Sequence, residues 1–241
     1  MKNLDQYILE SLKGYKPGTI DTKKHKEQLP QSCEKYFANQ KVDVDDIENL
    51  DTSNVTNMYN MFCDTIFNSN SDSLDLSSWD VSNVEDMSYM FLRSNIKRLD
   101  LSNWDTSSLE YINNMFYECK NLEYLDMSGW DTSKVKNGSK EAFENMFLSC
   151  NNLTNIIFGP GWGKSKDMRE LNMFYCGKDK EYKMSDETWE SMLTMYDRKK
   201  AGFDPIKIYV RWTHNIPDGW EEKMKERGYE IIVLGRLNFN K

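Results

Sequence analysis

The chain has 241 residues, with 31 Lys and Arg against 39 Asp and Glu, a formal net charge of −8. That length admits one or two compact domains or one elongated repeat array. The negative balance excludes a general nucleic-acid binder and electrostatic attachment to an anionic membrane, and favours a basic or cationic partner.

The opening residues set Leu4, Ile8 and Leu12 at helical spacing with Asp5, Gln6 and Glu10 between them. This reads as a short amphipathic helix and lacks the unbroken apolar core of a signal peptide. No stretch approaches transmembrane length, so a cytoplasmic or virion-associated protein is expected ahead of a cell-surface one. Residues 24–39 read as a second helix broken near Pro30, which makes residues 1–45 a mostly helical N-terminal cap.

From there the sequence repeats itself. LDLSSWDVSNVEDMSYMFLRS starts at Leu74, LDLSNWDTSSLEYINNMFYEC at Leu99, and LDMSGWDTSKV at Leu125, resuming as FENMFLSC after an insert. A partial copy begins at Leu50 and a worn one runs from Ile156 to Cys176, so residues 46–180 hold about five coils with a period of about 25 to 31 residues. In each LDLS the period is two: Leu74 and Leu76 face one way, Asp75 and Ser77 the other, as in a short strand stacked in parallel on its neighbours. Trp79, Trp104 and Trp130 fill a corner, and the Asp-Thr-Ser after them supplies acceptors for a turn and a helix start. Val84, Met87, Met90 and Phe91 then recur at three- and four-residue spacing, which predicts a short helix packed on the strands. Thr65, Ser94, Cys119 and Cys150 fall three residues past successive phenylalanines, where a small buried side chain is wanted. Together with Cys33, Cys63 and Cys176, the cysteines are odd in number with no CxxC pair, and read as reduced packing residues rather than a disulfide framework or zinc site.

The pattern LxLSxWDTSxVxxMxxMFxxCxxL resembles the BspA-like leucine-rich repeat of bacterial surface proteins and of mycoplasma- and phage-encoded proteins. The resemblance implies an α/β repeat: a leucine-rich-repeat-like solenoid with a parallel β ribbon on one face and short helices on the other, capped at both ends. It also implies a binding role, with no catalytic residues to carry over. Past the repeats, Ser185 opens a helix carrying Trp189, Met192, Leu193 and Tyr196. IKIYVRW then alternates as a strand, residues 218–227 form another helix, and YEIIVL another strand. Residues 181–241 therefore read as an αβαβ C-terminal cap, similar to the closing segment of BspA-like proteins.

Candidate binding residues lie on the outward positions of the ribbon. Asp75, Asp100 and Asp126 would stand in a row about 4.8 Å apart, with Arg98 and Tyr124 beside them. Repelling carboxylates at that spacing suit a cation or a basic partner, but they also suit a hydrated face bonded to neighbouring serines. Lys207, Tyr209 and Arg211 would extend the same face with positive charge, a polarity fitting a protein partner or self-association. A second row, Asp51, Asp80, Asp105 and Asp131, sits where turns need acceptors. The stretch FGPGWGKS, residues 158–165, looks like a phosphate loop, yet Phe158 stands where that motif requires glycine. It reads instead as a worn WDTS, with Ser165 three residues after Trp162. His25 and His214 have no companion motif, so no enzyme, cofactor or metal is expected. The expected protein is a non-catalytic interaction or structural module with a protein partner, whether a phage virion or host-interaction component or a bacterial adhesin.

Overall fold

The computed structural model describes residues 28–68, 73–136, 143, 145–172, 183–211 and 215–234. The expected opening helix, both histidines, Trp212 and Cys176 lie outside them. The chain forms a parallel β-solenoid of about seven turns with few helices.

Among the described residues, three parallel sheets follow one another along the chain. β1 (Lys41–Asp43) pairs with β2 (Ile66–Asn68). The ribbon proper is β3 (Ser73–Asp75), β4 (Arg98–Asp100), β5 (Tyr124–Asp126) and β6 (Asn155–Ile157), in that spatial order. A third sheet joins β7 (Glu170–Asn172), β8 (Ile206–Arg211) and β9 (Tyr229–Leu234). Among the described residues there are three short helices: α1 (Val44–Ile47), α2 (Asp186–Met192) and α3 (Trp220–Glu226). The hydroxyl of Ser185 accepts from the Thr188 amide and caps α2.

Inside the coils, identical side chains stack on one another. Phe37, Phe62, Phe91, Phe116 and Phe147 form a column with ring centroids 5.2, 5.5, 5.7 and 6.1 Å apart and planes within 15°. Trp104, Trp130 and Trp162 form another, at 6.3 and 6.0 Å. Each indole also donates backwards: Trp79, Trp104, Trp130 and Trp162 bond the carbonyls of Ile47, Leu76, Leu101 and Met127 at 2.9 to 3.1 Å. Tryptophan recurs there because its apolar body fills the corner while its N–H satisfies the preceding coil.

The segment expected to be helical is not. Val84, Met87, Met90 and Phe91 are all fully buried, as their spacing requires, but they lie on a run of turns. Alternate amides divide between two partners. In the Leu50 copy, the amides of Met58, Asn60, Phe62 and Asp64 donate to Asp86, Ser88, Met90 and Leu92 of the next coil. Those of Met61, Cys63 and Thr65 bond three residues back, to Met58, Asn60 and Phe62. A helix would need every amide to reach the carbonyl four residues back. Left-handed residues at four-residue intervals prevent it: Asn60 and Asp64, Tyr89 and Arg93, Asn114 and Glu118 all have φ between 54° and 59°.

The same conformation extends further toward the N-terminus than the repeat pattern indicates. In the described part of the expected 24–39 helix, residues 28–39 form turns with Lys35 and Asn39 at φ 58°. Amides of Cys33, Lys35, Phe37 and Asn39 donate to Asn57, Tyr59, Met61 and Cys63. Residues 28–39 therefore stack as one more coil, with Cys33 facing the next coil at the methionine position and Phe37 heading the phenylalanine column.

Candidate functional site

The ribbon brings together five of the eight expected binding residues. Leu74, Leu99 and Leu125 are buried, which turns their neighbours outward. Asp75, Asp100 and Asp126 occupy one column, with Ile157 in the next place, and Ser73, Arg98, Tyr124 and Asn155 occupy the other. The Arg98 guanidinium lies 4.4 Å from the Tyr124 ring centroid. The Tyr124 hydroxyl donates to Asp126 Oδ2 at 3.3 Å, and burial together with the charges of Asp126, Asp100 and Glu187 pushes the phenol up to about 12.

Each ribbon aspartate also has an internal partner. Asp75, Asp100 and Asp126 Oδ1 accept from the amides of Ser77, Ser102 and Ser128 at 2.8 to 2.9 Å. These bonds form Asx-turns that take the chain off the strand. The Ser77 hydroxyl and amide hold the Asp75 carboxyl below the usual carboxylate range. Among the described residues, no group of three or more His, Cys, Asp or Glu is placed to hold a metal ion.

Lys207, Tyr209 and Arg211 lie on β8, in the third sheet rather than the ribbon. Lys207 stands in register between Glu170 and Glu230, and the Tyr209 hydroxyl donates to Glu170 Oε1 at 3.1 Å. The Arg211 side chain is outside the description, although its backbone belongs to β8.

The second aspartate row has the turn role its spacing indicates. Asp51, Asp80, Asp105 and Asp131 accept from the amides of Ser53, Ser82, Ser107 and Ser133 at 2.8 to 3.0 Å. A third position, not picked out from the sequence, does the same: Asn57 Oδ1 accepts from the Tyr59 amide at 2.8 Å and Asp86 Oδ1 from Ser88 at 2.7 Å. Burial pushes the Asp86 carboxyl above its ordinary range, with Glu34 adding repulsion against the Ser88 bonds that favour ionisation. A folded-state value raised above the unfolded one gives stability at low pH that is lost as pH rises through it. Asp86→Asn keeps the acceptor, as Asn57 does one coil earlier, and removes the charge. It is expected to raise the thermal midpoint at neutral pH, with the gain vanishing below about pH 3, where aspartate is protonated in both states. Melting curves of both proteins across pH check this.

The small buried column is a donor column. Thr65 Oγ1 and the thiols of Cys119 and Cys150 donate to the carbonyls of Phe37, Phe91 and Phe116 at 2.8 to 2.9 Å. Burial pushes the Cys119 thiol up to about 12, and likewise that of Cys33 at the methionine position. Unreactive, hydrogen-bonded thiols are what this position needs.

FGPGWGKS is built the opposite way from a phosphate cradle. Its carbonyls, not its amides, converge on a charge: Arg198 Nη1 donates to Gly163 and Ser165 at 2.6 and 2.7 Å, and its Nε to Asp204 at 2.9 Å. Lys164 Nζ pairs with Asp131 at 2.7 Å. Although partial burial works the other way, that ammonium and the Ser133 bonds hold the Asp131 carboxyl below the usual range. A Cβ at Gly161 would sit 1.8 Å from the Trp130 carbonyl, and Gly163 adopts φ 86° with the Tyr229 hydroxyl 2.3 Å from where its Cβ would be. The glycines serve close packing. Arg198, fully buried, has no signal in its local sequence, where Asp-Arg-Lys-Lys reads as surface charge.

Neither a curated protein nor a solved structure matches the chain. A family described as Mycoplasma protein of unknown function, DUF285, matches at residues 31–156 and again at 64–189, the two overlapping matches being themselves a sign of the internal repeat. Together they span the coils from the first stacked turns to α2, well over half of the sequence, and the chain belongs to that family.

Proposed function

We propose that this protein is a non-catalytic, leucine-rich-repeat-like solenoid of BspA type that binds a protein partner through the β3 to β6 ribbon. The observation that carries the reading is the regular two-column display on four parallel strands. Asp75, Asp100 and Asp126 present a row of carboxylates, and Arg98 lies on Tyr124. Arginine and tyrosine held in place by one another are the residue types that dominate binding energy at interfaces, because little side-chain freedom is lost on contact. The aspartates suit a basic partner face, which they would steer and orient more than tighten.

The C-terminal segment acts as the cap. At the β6 edge the next neighbour is α2, whose Thr188 and Ser191 hydroxyls accept from the Ile156 and Phe158 amides at 2.9 and 3.1 Å. Satisfying edge amides by side chains is what the end of a stack requires.

The test is affinity capture from the native host with three baits: the native protein, Arg98→Ala/Tyr124→Ala, and Asp75→Asn/Asp100→Asn/Asp126→Asn. Asparagine preserves the Asx-turns while discharging the row. A partner recovered by the native bait should be lost or weakened about tenfold or more with the first variant, as expected when interface anchors are truncated. It should become less salt-sensitive with the second. Equal recovery by all three baits would remove the ribbon as the contact surface.

A further inference from the structure

Away from the ribbon, a cleft of about 470 Å³ lies between the turn after Trp130, the turn after Trp162 and the segment following α2. Its lining is unlike the rest of an acidic chain. Lys134, Lys164 and Lys166 come together there from two successive coils, with Tyr196 and Phe203 as one wall. The wall rings have centroids 5.9 Å apart, and Lys166 Nζ lies 5.7 Å from the centre of Phe203. Asp167 is the one carboxylate in the lining, and the Lys164 ammonium is ion-paired with Asp131. Among the described residues, Lys134 and Lys166 have no carboxylate within ion-pair distance.

A second feature points the same way. Arg198 sits behind this wall, its guanidinium 5.2 Å from the Phe203 centroid and bonded to the carbonyls of Gly163, Ser165 and Asp204. Those carbonyls take up its Nε and Nη1 hydrogens, and the nearby Asp204 carboxylate attracts it without forming an ion pair. Among the described residues, no carboxylate lies within ion-pair distance of it. A buried cation without a direct ion-pair partner, which Asp204 offsets only in part, adds positive potential in the space beside it, because the surrounding protein screens it poorly.

We propose that this cleft binds a small aromatic phosphate, the phosphate held by Lys134 and Lys166 beside the Lys164–Asp131 pair and the ring laid against Tyr196 and Phe203. The volume falls within the roughly 300–1,000 Å³ of small-molecule sites and exceeds what a lone phosphate fills. Ammonium groups on flexible stems act as point charges rather than as a shaped cradle. Binding is therefore independent of magnesium, strongly salt-dependent, and distinct from that of a phosphate-loop nucleotidase. Lys134 and Lys166 stand apart from the ribbon, so the protein-binding reading stands or falls separately.

The experiment titrates the full chain with phenyl phosphate, adenosine 5′-monophosphate, inorganic phosphate, phenol and a hexaglutamate peptide, read by calorimetry and amide chemical shifts. Phenyl phosphate is expected to bind more tightly than either inorganic phosphate or phenol, and the monophosphate arm shows whether a nucleoside is an accepted source of the ring. Lys134→Gln/Lys166→Gln, two exposed positions, should weaken binding about tenfold or more, the scale of losing charge-assisted bonds, with an unchanged melting temperature. Inorganic phosphate binding as well as phenyl phosphate, no effect of the double variant, or tighter binding of the acidic peptide would each overturn the proposal.

Discussion

Trp130→Ala is expected to lower the free energy of unfolding by about 3–5 kcal/mol, the range for deleting a buried large aromatic. Trp130 is 1% exposed and stacks between Trp104 and Trp162. Alanine leaves a cavity that neighbouring coils cannot close, because each is tied to the next by backbone bonds along its length. It also strands the Leu101 carbonyl, which the indole N–H reaches at 3.1 Å. Trp130→Phe separates the two contributions. It keeps a stacked ring, loses the donor and some volume, and should cost roughly 1–3 kcal/mol. Urea unfolding of both variants reads the difference. A loss below about 1 kcal/mol for the alanine variant, the size of an ordinary surface change, would mean that the tryptophan column does not hold the coils together.

Arg198→Met is expected to destabilise the protein by about 2–4 kcal/mol. Two effects oppose each other. Methionine relieves the desolvation of a buried cation, and such replacements by apolar residues can be neutral when both members of an ion pair are exchanged. Here the partners are backbone carbonyls, which stay. Gly163 and Ser165 would each lose a donor in a buried setting, at about 1–3 kcal/mol apiece, while the exposed Asp204 carbonyl can turn to water at little cost. The stranded acceptors therefore outweigh the relief. Arg198→Lys should recover little, since a single ammonium cannot reproduce the planar fork that reaches Gly163 and Ser165 with one nitrogen and Asp204 with another. Thermal unfolding gives the magnitude. Hydrogen exchange should locate the loosening first at Trp162 and Tyr196, where the Tyr196 amide donates to the Trp162 carbonyl at 2.8 Å. A methionine variant as stable as the native chain would show that water takes over the three carbonyls.

Much of the interior was legible in the repeats. Leucine alternation placed Leu74, Leu99 and Leu125 inward, and the recurrence of tryptophan and Met-Phe marked columns that are buried throughout. The Asp-x-Ser spacing identified turn acceptors because an Asx-turn needs only residues two apart. The five ribbon residues, Asp75, Arg98, Asp100, Tyr124 and Asp126, were readable as neighbours from the period alone. Lys207 and Tyr209 were not, since alternation shows which way a strand faces but not which sheet it joins.

What the sequence determined by itself was therefore local and periodic: which side chains go in, where the chain turns, and that one unit must stack on the next. The tertiary structure decided the rest. Spacing of three and four is produced equally by a helix and by interleaved turns, and the two differ only in where the amides of Met58 to Asp64 find acceptors. Those acceptors, Asp86 to Leu92, exist only once the following coil is in place. Arg198 is the same lesson in one residue. It looks solvated in a charged run, and it is drawn inside because carbonyls 33 and 35 residues earlier in the chain are aimed at it.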